Sequence, residues 1–293
     1  MTLGTILIDD VVSFAFMVLA CLITQRFGIF NLAIESVVIN STFSYACWVS
    51  TGHGVVTGGV IALVSGVATA GIFATMAVLC GLDQIVSGIA LNMLSLGITT
   101  VFMQDITGSD QVSFLWVTAE AWRLPLIVVL ICLSIAVWYL LSKSIFGPRA
   151  LAIEEDTYVA RSCDLQVKAY QAWATVASGI VGAFGGIYLA LRLSGFNNNQ
   201  WKLGTGYLAL AIVVAVQGKI GKSLWLAGLL SVLSTVAQKL PAARSSRVPG
   251  ELLDMSPYIL VILLFCFVHP RTRSLIWRTM MKTTTSVRPD SGG

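Results

Sequence analysis

Asn31, Glu35, Ser87 and Asn92 carry hydrogen-bonding side chains beside or inside long apolar runs. At such depth an amide, hydroxyl or carboxyl has no bulk water to satisfy it. It must therefore meet another helix, a wet pathway or a passing solute. The chemistry open to these four is hydrogen bonding, and they are read as candidate pathway residues. Glu35 could also titrate, as in a self-contained carrier driven by a proton or sodium gradient. On a helix Ser87 and Asn92 lie about 140° apart around the axis. Asn92 shares a stripe instead with Gly88 and Ser95, which suits either a solute or a neighbouring helix.

Covalent chemistry finds no such group. There is no H-E-x-x-H, no G-x-S-x-G and no carboxylate pair inside an apolar run, so no catalytic residue is expected. Gly221-Lys222-Ser223 has the end of a phosphate-binding loop, but the first glycine position is Val216 and no strand precedes it. Whatever energy the protein uses must come from a partner or an ion gradient. Cys21, Cys47, Cys80, Cys132, Cys163 and Cys266 are scattered and read as small buried hydrophobes. His53 and His269 fall at helix ends far apart. Neither a metal nor another cofactor is expected, and no nucleic-acid partner.

The elements that position the candidates are set by composition. The 293 residues are 56% hydrophobic and 11% charged, with a mean hydropathy of +0.85. The expected fold is all-α: a polytopic integral membrane helix bundle of about 8–10 spans in one domain over 1–293, with one or two broken helices. The apolar runs lack the ten-residue alternation of a barrel. The expected spans are Thr5–Thr24, a broken or late-starting helix within Phe27–Ser50, Val55–Cys80, a run from Gly81 to Met103, Leu124–Leu141, Ala169–Leu191, Ser223–Gln238 and Ser256–His269. Gly206–Val216 is too short to cross alone and reads as half of a broken helix. Gln104–Arg123 and Arg192–Thr205 read as polar loops, and Gly182-x-x-x-Gly186 marks a possible close helix crossing.

Lys143 to Lys168 holds eight of the 32 Asp, Glu, Lys and Arg residues and cannot lie in hydrocarbon. Gly147 and Pro148 interrupt the preceding helix. A short helix is expected from Ala152, with Glu154, Glu155 and Asp156 near its start and Arg161 near its end, an order that suits the helix dipole. Such a helix, lying across the membrane surface, could be offered to a soluble partner; an ordinary solvated connector is the alternative. Placing this loop and the basic tail 270–293 on the cytoplasmic side puts 12 of 18 Lys and Arg residues inside and the amino terminus outside.

Two stretches resemble the permease subunits of bacterial ATP-binding-cassette importers for nucleosides and simple sugars, in the family that includes branched-chain amino acid and ribose permeases. They are TQRFGIFNLAIESVVINSTFSYACW (24–48) and GLDQIVSGIALNMLSLGITTVF (81–102). Leu203–Leu230 is similar to the same branch's G-x-G-[FY]-I-A-L-A-I-V-V segment, and Ala152–Val167 resembles the coupling loop of the amino acid permeases. The family's N-[IL]-G-[IL]-E-G appears here as Asn31-Leu-Ala-Ile-Glu-Ser36, and a Gly-Ile near the end of the coupling loop is Asp164-Leu165. The resemblance implies a pathway-forming, non-catalytic subunit in the cytoplasmic membrane. Its implied partners are a second permease chain, identical or related, an ATPase subunit and an extracytoplasmic substrate-binding protein. Glu154, Glu155, Asp156 and Arg161 would then contact the ATPase, and Asn31, Glu35, Ser87 and Asn92 the solute. A branched-chain amino acid permease of the same family and an ion-gradient carrier remain the alternative functions. A passive scaffold would leave the polar breaks unexplained.

Overall fold

The computed structural model describes residues 3–107, 111–114, 116–197, 204–239 and Ile259. The basic tail lies outside them, as does the expected Ser256–His269 span apart from Ile259. The elements run α1 Leu3–Gln25, α2 Ile34–Ser50, α3 Val55–Ala74 prolonged by a π-helical turn Thr75–Leu79, and α4 Gln84–Thr107. There follow β1 Gln111–Ser113, α5 Trp116–Ser142, α6 Phe146–Glu155, α7 Thr157–Ser162, α8 Val167–Leu193, β2 Gly195–Asn197, α9 Thr205–Ala215 and α10 Ile220–Lys239. Among the described residues five stretches are long and apolar enough to cross a membrane: Gly4–Gln25, Val55–Leu79, Gln84–Asp105, Trp122–Ser142 and Val167–Leu193. The protein is a polytopic helical bundle. α9, with 11 residues, spans about 16 Å, roughly half of a ~30 Å hydrocarbon core.

α8 runs through the middle of the bundle, and its small residues explain how. A Cβ at Gly182 would lie 2.8 Å from Ile34, at Gly186 2.7 Å from Ser41 and at Gly185 2.9 Å from Phe16. α1 and α2 thus approach α8 at near-backbone distance, and the Gly182-x-x-x-Gly186 spacing marks a true crossing against α2. Around it the fully buried Phe16, Leu19, Leu22, Val37 and Tyr188 form the main core. α4 and α5 instead leave large apolar side chains such as Val86, Leu94, Val101, Val128 and Ile135 exposed on the outside of the chain.

The opposite ends of the bundle differ. At one end Asp9 pairs with Arg123 at 3.5 Å and accepts from the Tyr188 hydroxyl at 2.7 Å, while Asp10 pairs with Arg192 and accepts from Thr235 at 2.7 Å. These bonds tie α1 to α5, α8 and α10. The antiparallel ribbon β1–β2 closes the same end, with Val112 and Phe196 buried against Ile39 and Met103. At the other end the α1–α2 connection, the α5–α8 connection and the α9–α10 turn come together, as shown by Arg26 bonding to both Glu154 and Gly218.

Three sequence expectations are corrected. The loop expected over Gln104–Arg123 is shorter, because α4 continues to Thr107 and α5 starts at Trp116. Ala119, Glu120 and Ala121 are strong helix formers and carry the helix through a polar stretch. The charged stretch forms two helices rather than one. Pro148 sits in the first turn of α6, where no backbone bond is lost, and Glu154 and Glu155 end that helix instead of starting one. Asp156 is extended (φ −154°) and caps α7 by accepting from Tyr158 N at 2.9 Å, a role its short carboxylate fills better than a helix interior. Finally, among the described cysteines only Cys21 is buried, whereas Cys80, Cys132 and Cys163 are exposed and Cys47 intermediate.

Candidate functional site

Helix α1 ends at Gln25 and α2 begins at Ile34; the non-helical lead-in between them carries Asn31, and the first turn of α2 carries Glu35. A helix start leaves backbone amides unsatisfied, and here another helix supplies the partner. Asn92 of α4 accepts from Ser36 N at 2.9 Å through Oδ1 and donates through Nδ2 to the Leu32 carbonyl at 3.0 Å. One buried amide thereby caps α2 and pins the lead-in. Gly88, one turn earlier, lets α4 come close, since a Cβ there would lie 2.7 Å from the Leu32 Cβ. One turn later Ser95 accepts from Asn40 at 3.0 Å. The Gly88–Asn92–Ser95 stripe read from the sequence therefore faces α2.

Asn31 is 1% exposed; it donates to Ser178 Oγ of α8 at 3.1 Å, while its Oδ1 is buried and accepts no hydrogen bond from the described residues. Glu35 is fully buried in the first turn of α2 and accepts from the Gly204 amide at 2.8 Å. Gly204 precedes α9, so the carboxyl sits at the positive end of that half-helix. A Cβ at Gly206 would fall 2.9 Å from the Glu35 Cβ, so glycine is what lets α9 close on α2. Asn31, Glu35 and Asn92 are thus gathered around one lead-in, where α4, α8 and α9 converge. Ser87 is buried on α4 (2% exposed), its backbone amide bonded to the Asp83 carbonyl.

Residues outside the four candidates also shape the lead-in. Gln84 accepts from Phe30 N at 2.9 Å and holds the far side of the lead-in. Ser178 is one hydroxyl in a small-residue helix and carried no signal of its own. Ala33 and Ser36, where the resembling pattern has glycines, are both fully buried, and Ser36 Oγ donates to the Ala33 carbonyl at 2.6 Å.

The second candidate region is the charged connection. Glu155, Tyr158, Val159 and Arg161 are exposed on α6 and α7, with Tyr158 64% and Val159 59% accessible. Leu151, 47% accessible, extends this apolar strip between charges. Asp164, where the resembling pattern has glycine, ends α7 in the left-handed region at φ +59°, a conformation aspartate tolerates better than most residues. Glu154 turns inward to Arg26 at 3.2 Å. Burial raises its carboxyl above the ordinary range, and the adjacent Arg26 pulls it back only in part.

Residues 6–268 match the family described as the branched-chain amino acid transport system permease component. The chain belongs to that family. Among curated proteins it is 28% identical to the nucleoside ABC transporter permease NupC of Lactococcus lactis, covering 82% of this chain and 83% of the relative. It is 26% identical to the guanosine ABC transporter permease NupQ of Bacillus subtilis, with 82% and 83% covered. It is 25% identical to TsgC13 of Haloferax volcanii, which is named for a glucose ABC transporter, with 87% of each chain covered. No solved structure matches the chain. With its apolar helices, this family membership makes the protein a multi-pass permease of the cytoplasmic membrane, forming the translocation pathway of an ATP-binding-cassette importer.

Proposed function

We propose that this permease carries a nucleoside or simple sugar, and that Asn31 and Glu35, with Ser178, lie on the solute's path. The observation that carries this reading is the Asn31 amide, buried beside α8 with one acceptor that no described residue uses. A hydroxyl-rich neutral solute supplies the donor such an oxygen lacks. Ser87 and Asn92 belong to the same proposal as the residues of α4 that hold the lead-in in shape. A free amino acid would need an anion site, and the amino end of α9 already faces Glu35. The relatives named for nucleosides and glucose support the same solute class.

The charged connection, 143–168, is proposed to face the cytoplasm and meet the ATPase through Glu155, Tyr158, Val159 and Arg161. Asp156 and Glu154 shape this surface from within. The pathway is completed by a second permease chain, and an extracytoplasmic binding protein delivers solute, so hydrolysis belongs to the partner. ATPase closure would then move α6 and α7 and switch the pathway's accessible side.

Uptake of labelled guanosine, glucose and leucine into proteoliposomes holding the whole complex tests the solute class. Guanosine or glucose should be taken up only with the ATPase and ATP present. Leucine as the sole transported solute would overturn the assignment, and uptake by the permease alone on an ion gradient would make it a secondary carrier.

A further inference from the structure

Arg26 lies in the turn that ends α1 and joins three separate pieces of chain. Its Nη1 pairs with Glu154 Oε2 of α6 at 3.2 Å, and its Nε donates to the Gly218 carbonyl, just beyond α9, at 3.1 Å. Gly218 is left-handed (φ +65°), and a Cβ there would approach Arg26 Nε to 3.0 Å, so the turn is shaped around the guanidinium. The turn after Arg26 also rests on α6. Gly28 (φ +72°) sits where a Cβ would be 3.4 Å from the Ile153 carbonyl, and Gln171 of α8 donates to the Phe27 carbonyl at 3.1 Å.

The two ends of α9 are therefore fastened to the same stretch of chain. Its carboxyl end is held to Arg26 through Gly218, and its amino end to Glu35 through Gly204. Between these two bonds lie an 11-residue helix on one side and the lead-in carrying Asn31 on the other. A half-open groove of about 370 Å³ lined by Arg26, Leu141, Pro148 and Leu151 lies beside α6.

We propose that Arg26 is the positioning residue of transport coupling, carrying displacement of α6 to α9 and through α9 to Glu35 and Asn31. A planar guanidinium can hold a carboxylate and a carbonyl at once in fixed geometry, which a single ammonium does less rigidly. Movement of α6 pulls on Glu154, Arg26 follows, and the α9 end attached at Gly218 moves with it. The half-helix is short and hydrogen-bonded throughout, so its far end shifts against Glu35.

The inference rests on the reading that the charged connection meets the ATPase, and one experiment separates the two. Wild-type, Arg26→Gln and Arg26→Lys complexes are reconstituted with ATPase and binding protein, and three quantities are read: ATPase retained, ATP hydrolysed, and solute taken up per ATP. Arg26→Gln should keep ATPase and hydrolysis while uptake per ATP falls at least fivefold, and Arg26→Lys should fall about twofold. An unchanged ratio in Arg26→Gln overturns the proposal, as does loss of ATPase from that variant, which would make Arg26 part of the docking surface. If Arg26→Gln does not assemble, Arg26→Lys decides: a lowered ratio supports the relay and a wild-type ratio overturns it. Glu155→Lys is the control for the underlying reading. If it retains the ATPase at full strength, that reading fails whatever the Arg26 variants do.

Discussion

Glu35 of α2 and Gly204 at the head of α9 are joined by a 2.8 Å hydrogen bond across 169 positions of sequence. The bond sets a carboxyl against the positive end of a half-helix, so both its charge and its acceptor atom count. Glu35→Gln keeps an acceptor of the same reach, and Glu35→Ala removes it. Leaving the buried Gly204 amide without its acceptor costs about 1–3 kcal/mol. Glu35→Ala should therefore lower the melting temperature of the solubilised complex clearly more than Glu35→Gln. The same pair discriminates mechanisms, because an ATP-driven permease with Glu35→Gln keeps uptake without a proton gradient. Uptake that tracks a proton gradient in the wild type and vanishes in Glu35→Gln would make Glu35 the titrating group of a carrier.

The bundle and the break before α2 were legible because hydropathy and a polar interruption are local properties of sequence. Gly28, Asn31 and Glu35 stand together within a few residues, and the short apolar run from Gly206 announced a half-helix by length alone. What joins those pieces was not legible. That Gly204 meets Glu35, that Arg26 meets both Glu154 and Gly218, and that Ser178 meets Asn31 are facts of tertiary approach with no periodicity to signal them. The ribbon β1–β2 escaped notice for the same reason, each strand being three residues paired across a long separation. In the charged connection, charge order pointed to one helix, whereas the capping preference of Asp156 divided it into two.

Glu154 supplies a test by pH. Burial raises its carboxyl, so the folded protein holds this proton more tightly than the unfolded chain does. Above the ordinary carboxylate range the buried charge works against folding, and as pH falls through the raised value that penalty is relieved. Wild type should therefore gain melting temperature relative to Glu154→Gln as the pH is lowered from neutral. A relative loss on acidification would mean that the Arg26 pair outweighs burial.

Cys163 follows α7, is exposed and has no disulfide partner among the described residues, which makes it a reporter of sidedness. In a variant lacking the other cysteines, a membrane-impermeant thiol reagent applied to intact cells should leave Cys163 unlabelled. A single cysteine in place of His53, in the exposed turn between α2 and α3, should react instead. Labelling of Cys163 from outside would reverse the proposed orientation and put the charged connection out of reach of an ATPase.

Asn92 is where the bonding role and the pathway role of α4 part. Both halves of its amide are committed to the backbone around α2, at 2.9 and 3.0 Å, and it is 1% exposed. Asn92→Leu leaves the Ser36 amide and Leu32 carbonyl unpaired. Interhelical bonds in membranes contribute about 0.6–1.7 kcal/mol each, so the two together represent roughly 1–3 kcal/mol. The lead-in should loosen first, seen as a lower melting temperature and faster proteolysis near Phe30, with uptake falling in proportion to the folded complex that remains. Asn92→Asp keeps the acceptor for Ser36 and loses the donor to Leu32, so its melting temperature should lie between the two. Should Asn92→Leu assemble with wild-type stability and fail only in uptake, its amide would be exchanging these bonds for solute during the cycle, and Asn92 would belong to the pathway itself.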